Sequence, residues 1–173
     1  MSSEPPVTPN IQNLITKNAQ HVKNLTQQER DLPIPPAKKY AIVTCMDARI
    51  HPSKAFGITL GDAHIIRNAG ASGVDALRSL VISQQLLGTE EVFIVKHTDC
   101  GMLKFDNSHL RNLVKERLNT DAAKDIDFLF YPDLEQSVRD DVAYLKGTGL
   151  LPEEVVISGW VYEVETGKCV RIV

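Results

Sequence analysis

YAIVTCMDAR, residues 40–49, and VFIVKHTDCG, residues 92–101, each begin as an apolar run and end in residues that carry chemistry. Tyr40 to Thr44 gives way at Cys45, and Val92 to Lys96 gives way at His97. Short runs rich in β-branched and aromatic residues predict buried strands. Between them lie another such run, Ala63 to Arg67, and a segment with helical spacing, Val74 to Leu87. In that segment Leu77, Leu80, Val81 and Leu87 are the apolar positions, and Gly88 follows as a stop. Downstream, Leu110–Leu118 and Leu134–Leu145 read as helices and Val155–Ser158 as a fourth strand. Val161–Val164 and Lys168–Ile172 flank Glu165-Thr166-Gly167, the pattern of a hairpin.

Strands alternating with helices imply an α/β fold: a mainly parallel β-sheet flanked by helices on both faces, here with a C-terminal hairpin. Sheets of this kind place ligands beyond the carboxyl ends of their strands. Neighbouring strands lie about 4.8 Å apart. If the strands ending at Cys45 and His97 are neighbours, topology alone brings these distant residues side by side.

Upstream, Asn10 to Gln28 reads as an amphipathic helix with Ile11, Leu14, Ile15, Val22 and Leu25 on one face and Thr8 or Asn10 as its cap. It either packs on its own domain or forms an arm across a partner subunit. Leu32 to Lys39 holds three prolines and cannot extend it. The expected organisation is therefore an N-terminal helical arm and Pro-rich linker over 1–38, then a single catalytic α/β domain over 39–173.

Bulk properties narrow the function classes. The chain has 173 residues and a formal net charge of −3, which gives no electrostatic case for nucleic acid or an anionic membrane as partner. No run approaches the ~18 apolar residues of a membrane span. Met1 to Asn10 lacks the basic start and apolar run of a secretory signal, so a cytoplasmic location is expected. Three cysteines, Cys45, Cys100 and Cys169, are too few for a disulfide framework and leave reduced thiols free.

Cys45, His97 and Cys100 together offer two thiolates and an imidazole. Zinc takes these ligands tetrahedrally, and three of them leave a fourth position for water. One catalytic Zn2+ per chain is the expected cofactor. Asp47 and Arg49 follow Cys45 on the same side. Asp47 either closes the metal as a fourth ligand or pairs with Arg49 and leaves it open. Arg67-Asn68-Ala69-Gly70 ends the second strand, and Asn68 and Gly70 either shape the turn or line a pocket. Gly101 is placed to present its N–H to a bound anion. No G-x-G-x-x-G occurs, which disfavours a dinucleotide. His21, His51, His64 and His109 lack metal-ligand spacing, and Cys169 and Trp160 are expected in the core.

With C-x-D-x-R followed by H-x-x-C-G, the chain resembles the β-class carbonic anhydrases, and most nearly their short, minimal branch. The similarity runs from about Lys39 to the C-terminus through Cys-Met-Asp-Ala-Arg, His-Ile-Ile-Arg-Asn-Ala-Gly and His-Thr-Asp-Cys-Gly-Met. The resemblance implies reversible hydration of carbon dioxide to bicarbonate and a proton by a zinc-bound hydroxide. It implies Cys45, His97 and Cys100 as ligands, and Asp47 and Arg49 as the dyad that orders the water or, when broken, lets Asp47 close the metal. It also implies a homodimer or higher oligomer, with the N-terminal helix on the neighbouring subunit. Some members carry a regulatory Trp-Arg-Tyr bicarbonate site; the single tryptophan, Trp160, lies far downstream of that position. The same branch resembles hydrolases of carbonyl sulfide or carbon disulfide, which is the alternative small-molecule reading. A non-enzymatic structural zinc or thiol-sensor module is a further alternative, disfavoured because structural sites usually close with four Cys or His ligands.

Overall fold

A computed structural model describes residues 6–173, so the first half of the Met1–Asn10 segment lies outside the described residues. The chain divides at Pro33–Ile34 into two compact units. The first contains α1 (Pro9–Asn24) and α2 (Gln27–Arg30). Thr8 caps α1, its hydroxyl accepting from the Ile11 N–H. The single helix expected over Asn10–Gln28 is thus two. Thr26 and Glu29 form a reciprocal capping box that starts α2, and that T-x-x-E pattern is readable in the sequence. No residue of α1 is buried, and Ile11, Leu14, Ile15 and Val22 are exposed.

The second unit runs β1 (Tyr40–Cys45), α3 (Pro52–Phe56), β2 (Ala63–Asn68), α4 (Gly73–Leu87), β3 (Glu91–His97), α5 (Asn107–Leu118), α6 (Leu134–Gly147), β4 (Val156–Tyr162) and β5 (Cys169–Arg171). The sheet order is β2-β1-β3-β4-β5. The first four strands are parallel and β5 is antiparallel to β4. The mainly parallel sheet flanked by helices is therefore as expected. Among the described residues no helix is long and apolar enough to cross a membrane.

Period-two alternation sorts the strand residues between two faces. Ala41, Val43, Val92, Ile94 and Ile157 join Leu80 of α4 and Val142 and Leu145 of α6 in the main core. Ile42 and Val95 point the other way, into a smaller cluster with Ile58, Phe56, Phe93 and Trp160. The long helices α4 and α6 both pack on the main-core face, and among the described residues Phe56 of the short α3 is the one helical residue in the smaller cluster.

Three expectations need correction. The strand expected over Val155–Ser158 and the hairpin strand expected over Val161–Val164 are one continuous strand, β4, bounded by Val156 and Tyr162, with Glu163 and Val164 outside it. Gly159, within β4, lies so near α6 and the C-terminus that a Cβ there would run into Val138, Val142 and Val173. The hairpin itself is present, pairing Trp160 with Arg171, Val161 with Val170 and Tyr162 with Cys169. Cys169 is exposed on this short edge strand and is not core. Trp160 is half-buried and packs edge-on against Phe93, with ring centroids 6.4 Å apart.

Candidate metal centre

Cys45 is the last residue of β1 and His97 the last of β3, and these strands are parallel neighbours with Thr44 beside Val95. Both side chains therefore emerge at the carboxyl edge of the sheet. Cys100 arrives by a turn in which Asp99 takes a left-handed backbone, φ 53°. That turn is pinned to β4: the Thr98 N–H donates to the Tyr162 carbonyl at 3.0 Å, and the Thr98 hydroxyl accepts from the Val164 N–H at 3.0 Å.

The Sγ atoms of Cys45 and Cys100 and a ring nitrogen of His97 all lie within 4.8 Å of one another. All three residues are buried, His97 completely. His97 Nδ1 lies 2.8 Å from the Thr98 carbonyl oxygen. A carbonyl only accepts, so Nδ1 carries the proton and Nε2 presents its lone pair. That Nε2 is shut off from water with no hydrogen-bond partner among the described residues. The two thiols interact directly: Cys45 donates to Cys100, which draws Cys100 down to about 6 and pushes Cys45 up to about 11. One thiolate thus forms readily. A divalent cation would supply what makes the second form. Two sulfurs, a buried orphan imidazole nitrogen and tetrahedral-scale spacing fit zinc.

Asp47 stands beside this group, with Oδ2 3.8 Å from His97 Nε2. Arg49 grips it through Nη2 to Oδ2 at 2.7 Å, Nε to Oδ1 at 3.0 Å and its own backbone N–H to Oδ1 at 2.8 Å. These hydrogen bonds hold the Asp47 carboxyl well below the usual carboxylate range. The Asp47–Arg49 pairing that the sequence offered is thus formed in the structure.

Asn68 and Gly70 have different surroundings. The Asn68 side chain is spent on the turn, with Nδ2 donating to the Ser72 carbonyl at 2.9 Å and Oδ1 accepting from the Ser72 N–H at 2.7 Å. Gly70 has φ 72°, and a Cβ there would meet Met102 Cγ at 2.8 Å and Tyr131 Cε1 at 3.0 Å. A glycine is required on both counts. At Gly101 a Cβ would meet nothing within 4 Å.

Several residues around the centre escaped the sequence reading. Asp99 accepts from Arg49 Nη1 at 2.9 Å and from Lys104 Nζ at 2.6 Å, so Arg49 is clamped between two carboxylates. Asp99 lies inside His-Thr-Asp-Cys-Gly, and its charge beside a ligand was an available signal. Arg67 ties down the backbone leaving β1, donating to the carbonyls of Cys45 at 3.0 Å and Asp47 at 2.7 Å. Lys96 sits on the core face of β3, where the alternation calls for an apolar side chain. It forms an ion pair with Asp141 of α6 at 2.8 Å and donates to the Gly70 carbonyl at 3.1 Å. Tyr131 packs under Lys96 and beside Gly70. Nothing in the sequence near Tyr131 pointed to the site.

The carbonic anhydrase family model matches residues 40–169. Beta-carbonic anhydrase 1 of Mycobacterium tuberculosis is 39% identical over 138 residues, spanning 79% of this chain and 83% of its own. Carbon disulfide hydrolase of Saccharolobus solfataricus is 36% identical over 158 residues, spanning 78% of each chain. Among solved structures, the carbonic anhydrase from Glaciozyma antarctica is 48% identical, superposes with a TM-score of 0.89 and covers 96% of this chain and 99% of its own. A mainly parallel sheet with a Cys-His-Cys group at its carboxyl edge is an α/β fold carrying a candidate metal centre. The chain belongs to the β-class carbonic anhydrase family, an enzyme family in which relatives of this chain are named both carbonic anhydrase and carbon disulfide hydrolase.

Proposed function

We propose that this chain catalyses the reversible hydration of carbon dioxide to bicarbonate and a proton, with one zinc ion per chain held by Cys45, His97 and Cys100. The observation that carries this reading is the buried, proton-free Nε2 of His97 facing two sulfurs, with a fixed carboxylate 3.8 Å away. Zinc in a three-ligand site lowers the pKa of a water molecule and makes a nucleophile available near neutral pH. Asp47, anionic and held by Arg49, would accept a hydrogen bond from the attacking water and orient it toward the substrate carbon. Arg49, clamped by Asp99, keeps the Asp47 carboxylate from turning toward the ligand atoms. With Arg49 released, Asp47 is the residue that would close the centre. Gly101 offers an N–H to an oxygen of the linear substrate or of bicarbonate. Gly70 leaves room beside Met102 and Tyr131, and Asn68 acts by holding the turn that carries Gly70.

A second reading is favoured by the carbon disulfide hydrolases among the relatives at 36% identity: the same residues would serve water attack on carbonyl sulfide or carbon disulfide. A structural-zinc module is disfavoured by the carboxylate placed beside only three ligands. Stopped-flow hydration of carbon dioxide, run beside sulfide release from carbonyl sulfide and carbon disulfide, decides among them. Fast hydration with slow sulfide release is expected, and the reverse ranking overturns the proposal in favour of the hydrolase.

The first 38 residues are proposed as an arm for a homodimer or higher oligomer. An isolated helix the length of α1 is marginal in water, and its exposed Ile11, Leu14, Ile15 and Val22 need an apolar surface. Three unpaired cysteines suit a reducing, cytoplasmic setting.

A further inference from the structure

Asp47 and Arg49 are two residues apart, and every bond between them lies within one short stretch after β1. Arg67 holds the Asp47 carbonyl at 2.7 Å, so the freedom left to Asp47 is rotation of its side chain. An arginine with no second anchor can follow such a rotation, because its stem is long and this one is half exposed. The pair by itself therefore does not fix the carboxylate where it stands, with Oδ2 3.8 Å from His97 Nε2.

The second anchor comes from a different strand end. Asp99 lies in the turn after β3, between His97 and Cys100, and holds Arg49 twice. Nη1 donates to its Oδ2 at 2.9 Å and Nη2 to its backbone carbonyl at 3.1 Å. Asp99 does this from a left-handed backbone, φ 53°, which Asp and Asn adopt more readily than most residues. The turn is itself fixed to β4 through Thr98. We propose that Asp99 is a positioning residue that regulates the centre: it ties the Asp47–Arg49 pair to the turn carrying Cys100, and so decides whether Asp47 stays with Arg49 or swings toward His97 and the two sulfurs. The proposal rests on the zinc reading of Cys45, His97 and Cys100, and it moves control of Asp47 from Arg49 alone to the ligand turn. The Arg49 and Asp99 side chains are 49% and 52% exposed. The anchor therefore biases Asp47 between two positions and contributes little to overall stability.

The test is Asp99→Asn, which keeps the shape and the left-handed tendency and removes the charge. Cobalt(II) loaded in place of zinc makes azide binding at the metal visible by absorption, and Asp47 swung onto the metal competes with azide. The variant should hold one cobalt per chain, since no ligand is altered, and bind azide about 2- to 5-fold more weakly than the parent, the scale of a partly exposed charge pair. Loss of a negative charge beside the centre would by itself tighten binding of an anion, so the expected change has the opposite sign to a bare charge effect. In an Asp47→Ala background, where nothing is left to swing, Asp99→Asn should not weaken azide at all. Azide binding in Asp99→Asn equal to or tighter than in the parent overturns the proposal. So does the same weakening in the Asp47→Ala background, or a variant that cannot hold cobalt, since Asp99 would then be shaping the ligand turn alone. A parent protein that fails to bind cobalt at one per chain overturns the zinc reading and the proposal with it, whereas the other outcomes leave the zinc reading standing.

Discussion

Replacing Lys96 by methionine removes a charge that the strand pattern would never place there and leaves the aliphatic stem. In the parent, Nζ lies 2.8 Å from Asp141 Oδ2, with the two side chains only 3% and 12% exposed. No other polar group hydrogen-bonds that Asp141 oxygen among the described residues. The variant therefore strands a buried carboxylate, and the Gly70 carbonyl loses a donor at 3.1 Å. Breaking one side of a buried ion pair costs about 3–5 kcal/mol. For a chain of this length each kcal/mol moves Tm by about 2–4 °C, so Lys96→Met should melt about 6–20 °C below the parent in calorimetry at neutral pH. Adding Asp141→Leu, similar in shape and uncharged, should recover most of that loss, because no charge is then left buried. The reasoning is refuted if Lys96→Met melts within about 2 °C of the parent, less than the smallest shift this cost allows, or if the double variant is less stable than the single one.

Arg49→Ala should keep its zinc and lose about 100-fold in carbon dioxide hydration, the scale of a misplaced catalytic group. Without Arg49 the Asp47 carboxyl rises from its depressed value toward the ordinary carboxylate range, yet it stays ionised at neutral and alkaline pH. The deficit should therefore persist as pH is raised from 7 to 9; full recovery at the alkaline end of a stopped-flow pH series would contradict the positioning role. Deleting the first 33 residues, the first compact unit, should lower the mass seen by light scattering. A soluble truncated protein of unchanged oligomeric mass would remove the arm proposal and leave the fold untouched.

Most of the sheet was readable because its signal is local. The runs at Tyr40, Ala63 and Val92 are strands, and the helix over Val74–Leu87 ends at Gly88, which takes the left-handed C-cap with φ 68°. The juxtaposition of Cys45 and His97 followed from strand ends plus one assumption of adjacency, which the β1–β3 pairing bears out. What escaped depends on tertiary approach. The continuity of β4 through Gly159 was not legible, because nothing in the sequence tells that α6 brings Val138 and Val142 against that glycine. Lys96 and Asp141 are far apart in sequence and pair only because α6 crosses β3. Cys169 looked apolar enough for the core, but its strand ends at the sheet edge, where one side stays open. Pro52–Phe56 forms a helix too short to show periodicity.

The central claim is that Cys45, His97 and Cys100 hold one zinc per chain, and zinc content measured by elemental analysis on the purified parent and on Cys100→Ser tests it most directly. The parent should carry about one zinc per chain, as a single tetrahedral site requires. Cys100→Ser should lose most of it, since a hydroxyl poorly replaces a thiolate, while Cys169→Ser, altering the exposed cysteine of β5, should match the parent. Near-full zinc in Cys100→Ser, or a parent purified with none and unable to take it up, would contradict the account.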